Sequence, residues 1–297
     1  MLTAGTTDRA LAASLADELK AEGALRVWSL IVTFFGDAVL PRGGRVGAAA
    51  IGDLMAAMGV EDGAVRTALS RLAKEDYLLR EREGRLSYYR LARQRERDFL
   101  DASERIYSAV TDIEAAYFPS SQHDGLTVSL IHPPQDLDIA ERGVLAGQVK
   151  GLLLPSGMIL SAHLGLLDRV RMAEQRCFIV EGSTTNLPDW VVSYFANPRF
   201  EQFEVWEQKI GRTDLSDPLA CAALLCFVVH QWRRAVLTSP EAHPDLQRLT
   251  GESSARACVM RTYKRLEPLA AEWFDEAIWH DSRPAGRNRH AASARWL

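Results

Sequence analysis

Five residues of the stretch GAVRTALSRLAKEDY set the first chemical question: Arg66, Thr67, Ser70, Arg71 and Lys74. On a helix that turns 100° per residue, Thr67, Ser70, Arg71 and Lys74 share one side with Arg66 at its edge, while Val65, Ala68, Leu69 and Leu72 take the other. Small hydroxyl and cationic side chains on a free helical face let the backbone approach a major groove closely, and arginine can grip a guanine edge in bidentate fashion. The same pattern also describes the solvated face of an ordinary helix. The next residues add weight to the first reading. The run from Tyr77 to Leu91 alternates in character, turns at Glu83-Gly84-Arg85 and resumes as a β-prone segment, which reads as a hairpin. Arg80, Arg82, Arg85 and Arg90 occupy its tip and shoulders, where phosphates or a minor groove would lie beside a docked helix. A basic helix followed at once by a basic hairpin points to double-stranded DNA as the partner.

The elements that must position these residues follow from the flanking periodicity. Val27, Leu30, Ile31, Phe34 and Phe35 recur at helical spacing and Gly36 offers a stop, so residues 24–36 are expected as a helix on a core. Residues 41–44 read as a loop, 48–58 as a second amphipathic helix ending at Gly59, and Glu61 and Asp62 supply negative charge to the first turn of the third helix. Helix, glycine turn, helix and hairpin make a winged helix-turn-helix, here assigned to residues 1–95 with 1–22 as an N-terminal arm or leading helix without a strong cap. Residues 96–122 are expected as a connecting helix. From 123 to 186 strand-like and helical runs alternate, which suggests a small ferredoxin-like α+β domain. Residues 187–280 read as a helical regulatory and dimerisation domain, and 281–297 as a mobile basic tail. The fold class expected is therefore multidomain α+β.

Composition narrows the function classes. Hydrophobic residues make up 47% and charged residues 25%, the balance of a globular protein. The net charge of -4 alone would disfavour nucleic acid, yet residues 24–95 hold 12 Lys and Arg against 8 Asp and Glu, so the positive charge is gathered at one end. The N-terminus lacks the basic-then-apolar order of a secretory signal, and a cytoplasmic location is expected. The apolar stretch 219–237 is interrupted by His230, Gln231, Arg233 and Arg234 and falls short of the ~20 clean residues of a membrane span, so it reads as a buried helix. The four cysteines, Cys177, Cys221, Cys226 and Cys258, show no CxxC spacing and no nearby histidine cluster, and they are expected as reduced thiols with no metal site and no disulfides. His163 reads as a packing or surface histidine. No nucleophile elbow, zinc-protease motif or phosphate-binding glycine loop is present, so no catalytic residue is assigned.

Three blocks carry a family resemblance. The segment Leu30-Ile-Val-Thr-Phe-Phe-Gly-Asp-Ala-Val-Leu-Pro-Arg-Gly-Gly, then Ala64-Val-Arg-Thr-Ala-Leu-Ser-Arg-Leu, then Gly84-Arg-Leu-Ser-Tyr-Tyr-Arg-Leu, closely resembles the PaaX family of phenylacetic acid catabolon repressors. Val229-His-Gln-Trp-Arg-Arg and Thr262-Tyr-Lys-Arg-Leu-Glu-Pro-Leu-Ala-Ala-Glu-Trp-Phe look like that family's C-terminal region. The resemblance implies a homodimeric repressor on a palindromic operator, released by an aryl-coenzyme A thioester such as phenylacetyl-CoA or a related acyl-CoA. It places Arg66, Thr67, Ser70 and Arg71 on the recognition helix and Arg82 and Arg85 on the wing. The middle of the chain and the segment after Arg234 follow the family pattern poorly.

A candidate effector set combines Trp232, Arg233 and Arg234 with Arg261 and Lys264 on a neighbouring helix, cations suited to coenzyme A phosphates. These arginines are equally suited to a helix C-terminus and a solvated face, and Trp232 to packing. Two other readings stay open: a protein-interaction or RNA-binding module with a borrowed winged fold, and a metal-dependent nuclease through the ferredoxin-like domain. The nuclease would want a carboxylate at the end of its first strand, where this sequence has Ile131-His132-Pro133-Pro134. No cofactor and no membrane partner are expected.

Overall fold

The computed structural model describes residues 7–23, 25–107, 126–149, 151–161, 164, 166–184, 189–239, 247, 250–280 and 283–284. It is a mixed helix-and-sheet protein with two antiparallel sheets, and its chain divides into two compact units. Unit 1 gathers residues 1–109, 202–234 and 257–297; unit 2 gathers 110–201 and 235–256. This division differs from the expected layout. Residues 202–234 and 257–280, assigned by sequence to a separate helical domain, pack with the N-terminal segment, because their apolar faces complete its core.

Unit 1 opens with α1 (Asp8–Ala21), capped by the Thr7 hydroxyl, which accepts from the Ala10 N–H. Of the two readings of this stretch, a leading helix or a loose arm, the structure has the helix, packed on the core: Leu11, Leu15 and Leu19 are buried, and the Asp8 carboxylate accepts the Ser216 and Asp217 N–H groups. Helix α2 (Val27–Phe34) continues as a π-helical turn over Phe35–Val39. Strand β1 (Arg45–Gly47) leads into α3 (Ala48–Ala57), α4 (Asp62–Lys74), the hairpin β2 (Leu78–Glu83) and β3 (Leu86–Leu91), and α5 (Arg93–Tyr107). The remainder of the expected connecting helix, 108–122, lies outside the described residues, as does His163.

After unit 2 the chain forms α9 (Gln202–Gly211), α10 (Pro218–Thr238), α11 (Glu252–Ala277), β8 (Ile278–His280) and β9 (Arg283–Pro284). The sheet of unit 1 has the order β2-β3-β1-β8-β9, with Val46 opposite both Tyr89 and Ile278. Part of the tail expected to be mobile is therefore ordered, since Arg283 and Pro284 pair with His280 and Trp279; residues 285–297 lie outside the described set. Phe34, Phe35, Ile51, Leu54, Leu69, Phe227, Trp232, Leu266 and Phe274 form the core. Helix α10 is long and apolar enough by length and composition to cross a membrane, but 83% of that window is buried within the protein, the position of a core helix.

Unit 2 contains β4 (Leu126–His132), α6 (Ile139–Gln148), β5 (Leu152–Leu153), β6 (Ile159–Ser161), α7 (Leu166–Glu174), β7 (Phe178–Thr184) and α8 (Asp189–Phe195). Its sheet has the order β5-β6-β4-β7, all antiparallel, with Ile131 opposite Ile159 and Ile179. Ile131, Leu145, Val149, Ile159, Leu164 and Met172 are its core. Helix α6 starts with a capping box, the Asp138 carboxylate accepting from Glu141 N–H and Glu141 returning to Asp138 N–H.

Candidate nucleic-acid interface

Helix α4 is divided as its periodicity requires. Val65, Ala68, Leu69 and Leu72 are buried, and Arg66, Thr67, Ser70, Arg71 and Lys74 are exposed. Those five residues, with Glu75, line one shallow concavity of about 680 Å³. The Gly59 turn that sets α4 against α3 has a backbone φ of +70°, a left-handed value that glycine adopts without a side-chain clash.

Two of the arginines are held in readiness by local ion pairs. Arg66 pairs with Asp62 at 2.9 Å and Arg71 with Glu75 at 2.8 Å, each one helical turn away, and the Arg71 guanidinium lies 5.9 Å from the Trp28 ring. Exposed pairs of this kind contribute only about 0–1 kcal/mol, so a phosphate or a base edge can displace the carboxylate at little expense. The Thr67 hydroxyl donates to Gly63 O at 2.9 Å. Lys74 makes no ion pair among the described residues.

The hairpin sorts its charges by strand alternation. Arg80 and Arg82 fall on one face and Glu81 and Glu83 on the other, because successive side chains point to opposite sides. Arg80, Arg82 and Arg85 are exposed, and Arg80 donates to the Ser87 hydroxyl at 2.9 Å. Gly84, at φ +60°, starts the two-residue turn that presents Arg85. The structure places Arg80, Arg82 and Arg85 on the hairpin and outside the α4 concavity.

A residue that sequence reasoning missed organises the opposite face. Arg45 of β1 is 8% exposed, donates to Glu81 at 3.1 Å and to Glu83 at 2.6 Å, and lies 4.4 Å from the Tyr88 ring. Its bond to Glu83 raises the guanidinium above its usual value, against the opposing effect of burial. Arg90 also reaches Glu81, at 3.2 Å. Both carboxylates of the hairpin are thereby answered within the protein, and Arg82 and Arg85 make no ion pair among the described residues.

The five residues of the candidate effector set serve different surroundings. Trp232 is fully buried, donates from Nε1 to Ile106 O at 2.8 Å and meets Phe203 edge-on at 5.6 Å. Arg233 donates to the Ser29 hydroxyl at 2.8 Å, and burial lowers its guanidinium from the usual value. Arg234 donates to Gln231 Oε1. Arg261 grips both oxygens of Glu207, at 2.5 and 2.8 Å, and that bond holds the Glu207 carboxyl below its ordinary value. Lys264 is exposed on α11.

The thiols are shielded. Burial pushes Cys221 up to about 12 and Cys258 up to about 11, and Cys226 is raised well above the normal thiol range. Protonated thiols of this kind are poor nucleophiles and poor metal ligands. Among the described residues no group of three His, Cys, Asp or Glu side chains could hold a metal ion.

The class defined by these observations is a mixed α+β protein that displays a basic helix and a basic hairpin from one sheet-bearing unit. Residues 26–95, which span both elements, match the family model described as PaaX-like protein, a match that covers about a quarter of the chain. No curated protein matches the chain. Among solved structures, the uncharacterized protein Rv0674 from Mycobacterium tuberculosis is similar, with 15% identity, a TM-score of 0.40, and coverage of 75% of this chain and 91% of that one.

Proposed function

We propose that the protein is a cytoplasmic, homodimeric transcriptional repressor that binds operator DNA through a winged helix-turn-helix, with α4 in the major groove and the β2–β3 hairpin as the wing. The observation that carries this reading is the outer face of α4: five groove-compatible side chains share one open concavity while the opposite stripe is buried. Arg82 and Arg85 of the hairpin, which make no ion pair among the described residues, suit contacts to phosphate or minor groove. The family match supports a regulator, and by resemblance the target is an aromatic-acid catabolic operon released by phenylacetyl-CoA or a related acyl-CoA. The β-α-β-β-α-β order of unit 2 supports its reading as a ferredoxin-like domain.

Fluorescence anisotropy on the DNA upstream of the protein's own gene tests the proposal. Affinity is expected to fall steeply and log-linearly with salt, since several cations replace condensed counterions. Arg71→Ala is expected to weaken specific binding by about 1–3 kcal/mol and to relax preference at one base position. A flat salt response without sequence preference sinks the proposal. Adding acyl- and aryl-CoA thioesters to the same complex tests release.

A further inference from the structure

A second concavity of unit 1, about 440 Å³, lies between α1, α3, the start of α10 and α11. Its size falls within the range of small-ligand pockets. Alanines on three of its walls, Ala56 and Ala57 of α3 among them, leave the space open, and Trp273 of α11 closes one side. Phe34 and Phe274 flank Trp273, with ring centres 6.2 and 5.7 Å away, so the indole is braced from the core side. Its N–H makes no hydrogen bond among the described residues.

The charges in the wall are unequal. Asp217 is already occupied: it pairs with Arg9 and accepts the Leu219 and Ala220 N–H groups at 2.9 and 3.2 Å, capping α10. Burial would raise its carboxyl, but Arg9 and those N–H groups outweigh burial and hold it below the ordinary value. Asp53, one turn before Ala56 and Ala57, is exposed and makes no ion pair among the described residues. It therefore leaves one uncompensated negative charge in the wall. Ala56 and Ala57 are also the last residues of α3, where the helix dipole is negative.

An aromatic side chain, an unanswered carboxylate and a helix C-terminus together favour a cation on an apolar body. We propose that this cavity is a binding site for a small organic amine. The site is separate from the α4 face and from the five residues of the effector set. Because α3 supplies one wall and also packs against α4, the amine would brace the scaffold of the recognition helix.

The test titrates the full-length ¹⁵N-labelled protein with benzylamine, benzyl alcohol and benzoate, three ligands of one shape and different charge. The readout is the Trp273 indole N–H resonance, assigned through Trp273→Phe. Benzylamine is expected to shift it saturably with an affinity about tenfold or more above the other two. Asp53→Asn is expected to remove that preference, and Ala57→Leu to abolish the shift by filling the cavity while amide resonances elsewhere keep their positions. Equal affinity for the three ligands, no saturable shift, or unchanged benzylamine binding by Asp53→Asn overturns the proposal. DNA affinity plays no part in the readout, so failure here and failure of the repressor reading are distinguishable.

Discussion

Arg45 decides what sign of charge the hairpin shows to its surroundings. With Glu81 and Glu83 bound to it, the acidic face of β2 is neutralised internally and the basic face is left for a polyanion. Arg45→Ala should free Glu83 and leave Glu81 with Arg90 alone, add repulsion against phosphate, and weaken DNA binding several-fold across all sequences alike. The folded state should lose about 1 kcal/mol, because both glutamates are partly solvated and screened. Anisotropy on specific and random duplexes, with urea unfolding, checks both effects; wild-type DNA affinity would refute the role. A second residue-scale prediction concerns Glu207. Its carboxyl is lowered by the Arg261 bond, so the pair stabilises the protein above the ordinary carboxylate range, and that stability is lost as pH falls through the lowered value. Arg261 is more than half exposed, which limits the effect to less than about 1 kcal/mol. Glu207→Gln should therefore lower the melting temperature slightly at neutral pH, and the gap should close in acid. The outward residues of α4 were legible in the sequence because a single helix's periodicity fixes them. Arg45 was not, because its partner Glu81 lies 36 residues away across strands that must first be paired.

At the scale of elements, the same distinction between local and distant information holds. Helices α2 to α4 and the hairpin are read from spacing and from Gly59 and Gly84, all within a few residues of the feature they define. Strands β1, β8 and β9 are two or three residues long, too short for alternation to show, and they exist because distant chain segments pair. Helix α1 has no role legible in its own sequence, since its Asp8 carboxylate is held by the Ser216 and Asp217 N–H groups about 208 residues away. The β1–β8 seam has a specific weak point at Gly44. A Cβ there would sit 2.5 Å from Ile278 Cγ2 and 2.9 Å from the Trp279 carbonyl oxygen, closer than real carbon contacts allow. Gly44→Val should force β8 from β1 and destabilise the protein by roughly 2–3 kcal/mol. Urea denaturation reads this directly, and an unchanged midpoint would show that the seam contributes nothing to stability.

For the whole molecule, the interleaving of chain segments within unit 1 has a consequence for what can fold alone. The sequence suggests an autonomous winged domain at 1–95, but its core is finished by residues far downstream. Phe34 packs against Trp273 and Phe274 at 6.2 and 5.9 Å, Thr33 meets His230 at 3.1 Å, Arg42 pairs with Asp275 at 3.0 Å, and β8 extends the sheet that carries the hairpin. Removing everything after residue 95 would uncover Phe34, which is fully buried, and take away the partners of Thr33 and Arg42. Burying a side chain of this size contributes about 1.5–3 kcal/mol, and the net stability of a domain is only about 5–15 kcal/mol, so the loss of several such contacts consumes the margin. A fragment of residues 1–95 is therefore expected to show poor amide dispersion in its ¹H–¹⁵N spectrum, no cooperative melting and little specific DNA binding, whereas the full chain melts cooperatively. Residues 26–95 hold the surface that would touch DNA, but α10 and α11 supply the interior that keeps α2, and through it α4, in place. A well-dispersed, operator-binding 1–95 fragment would show instead that the downstream helices only cover a domain that is stable without them.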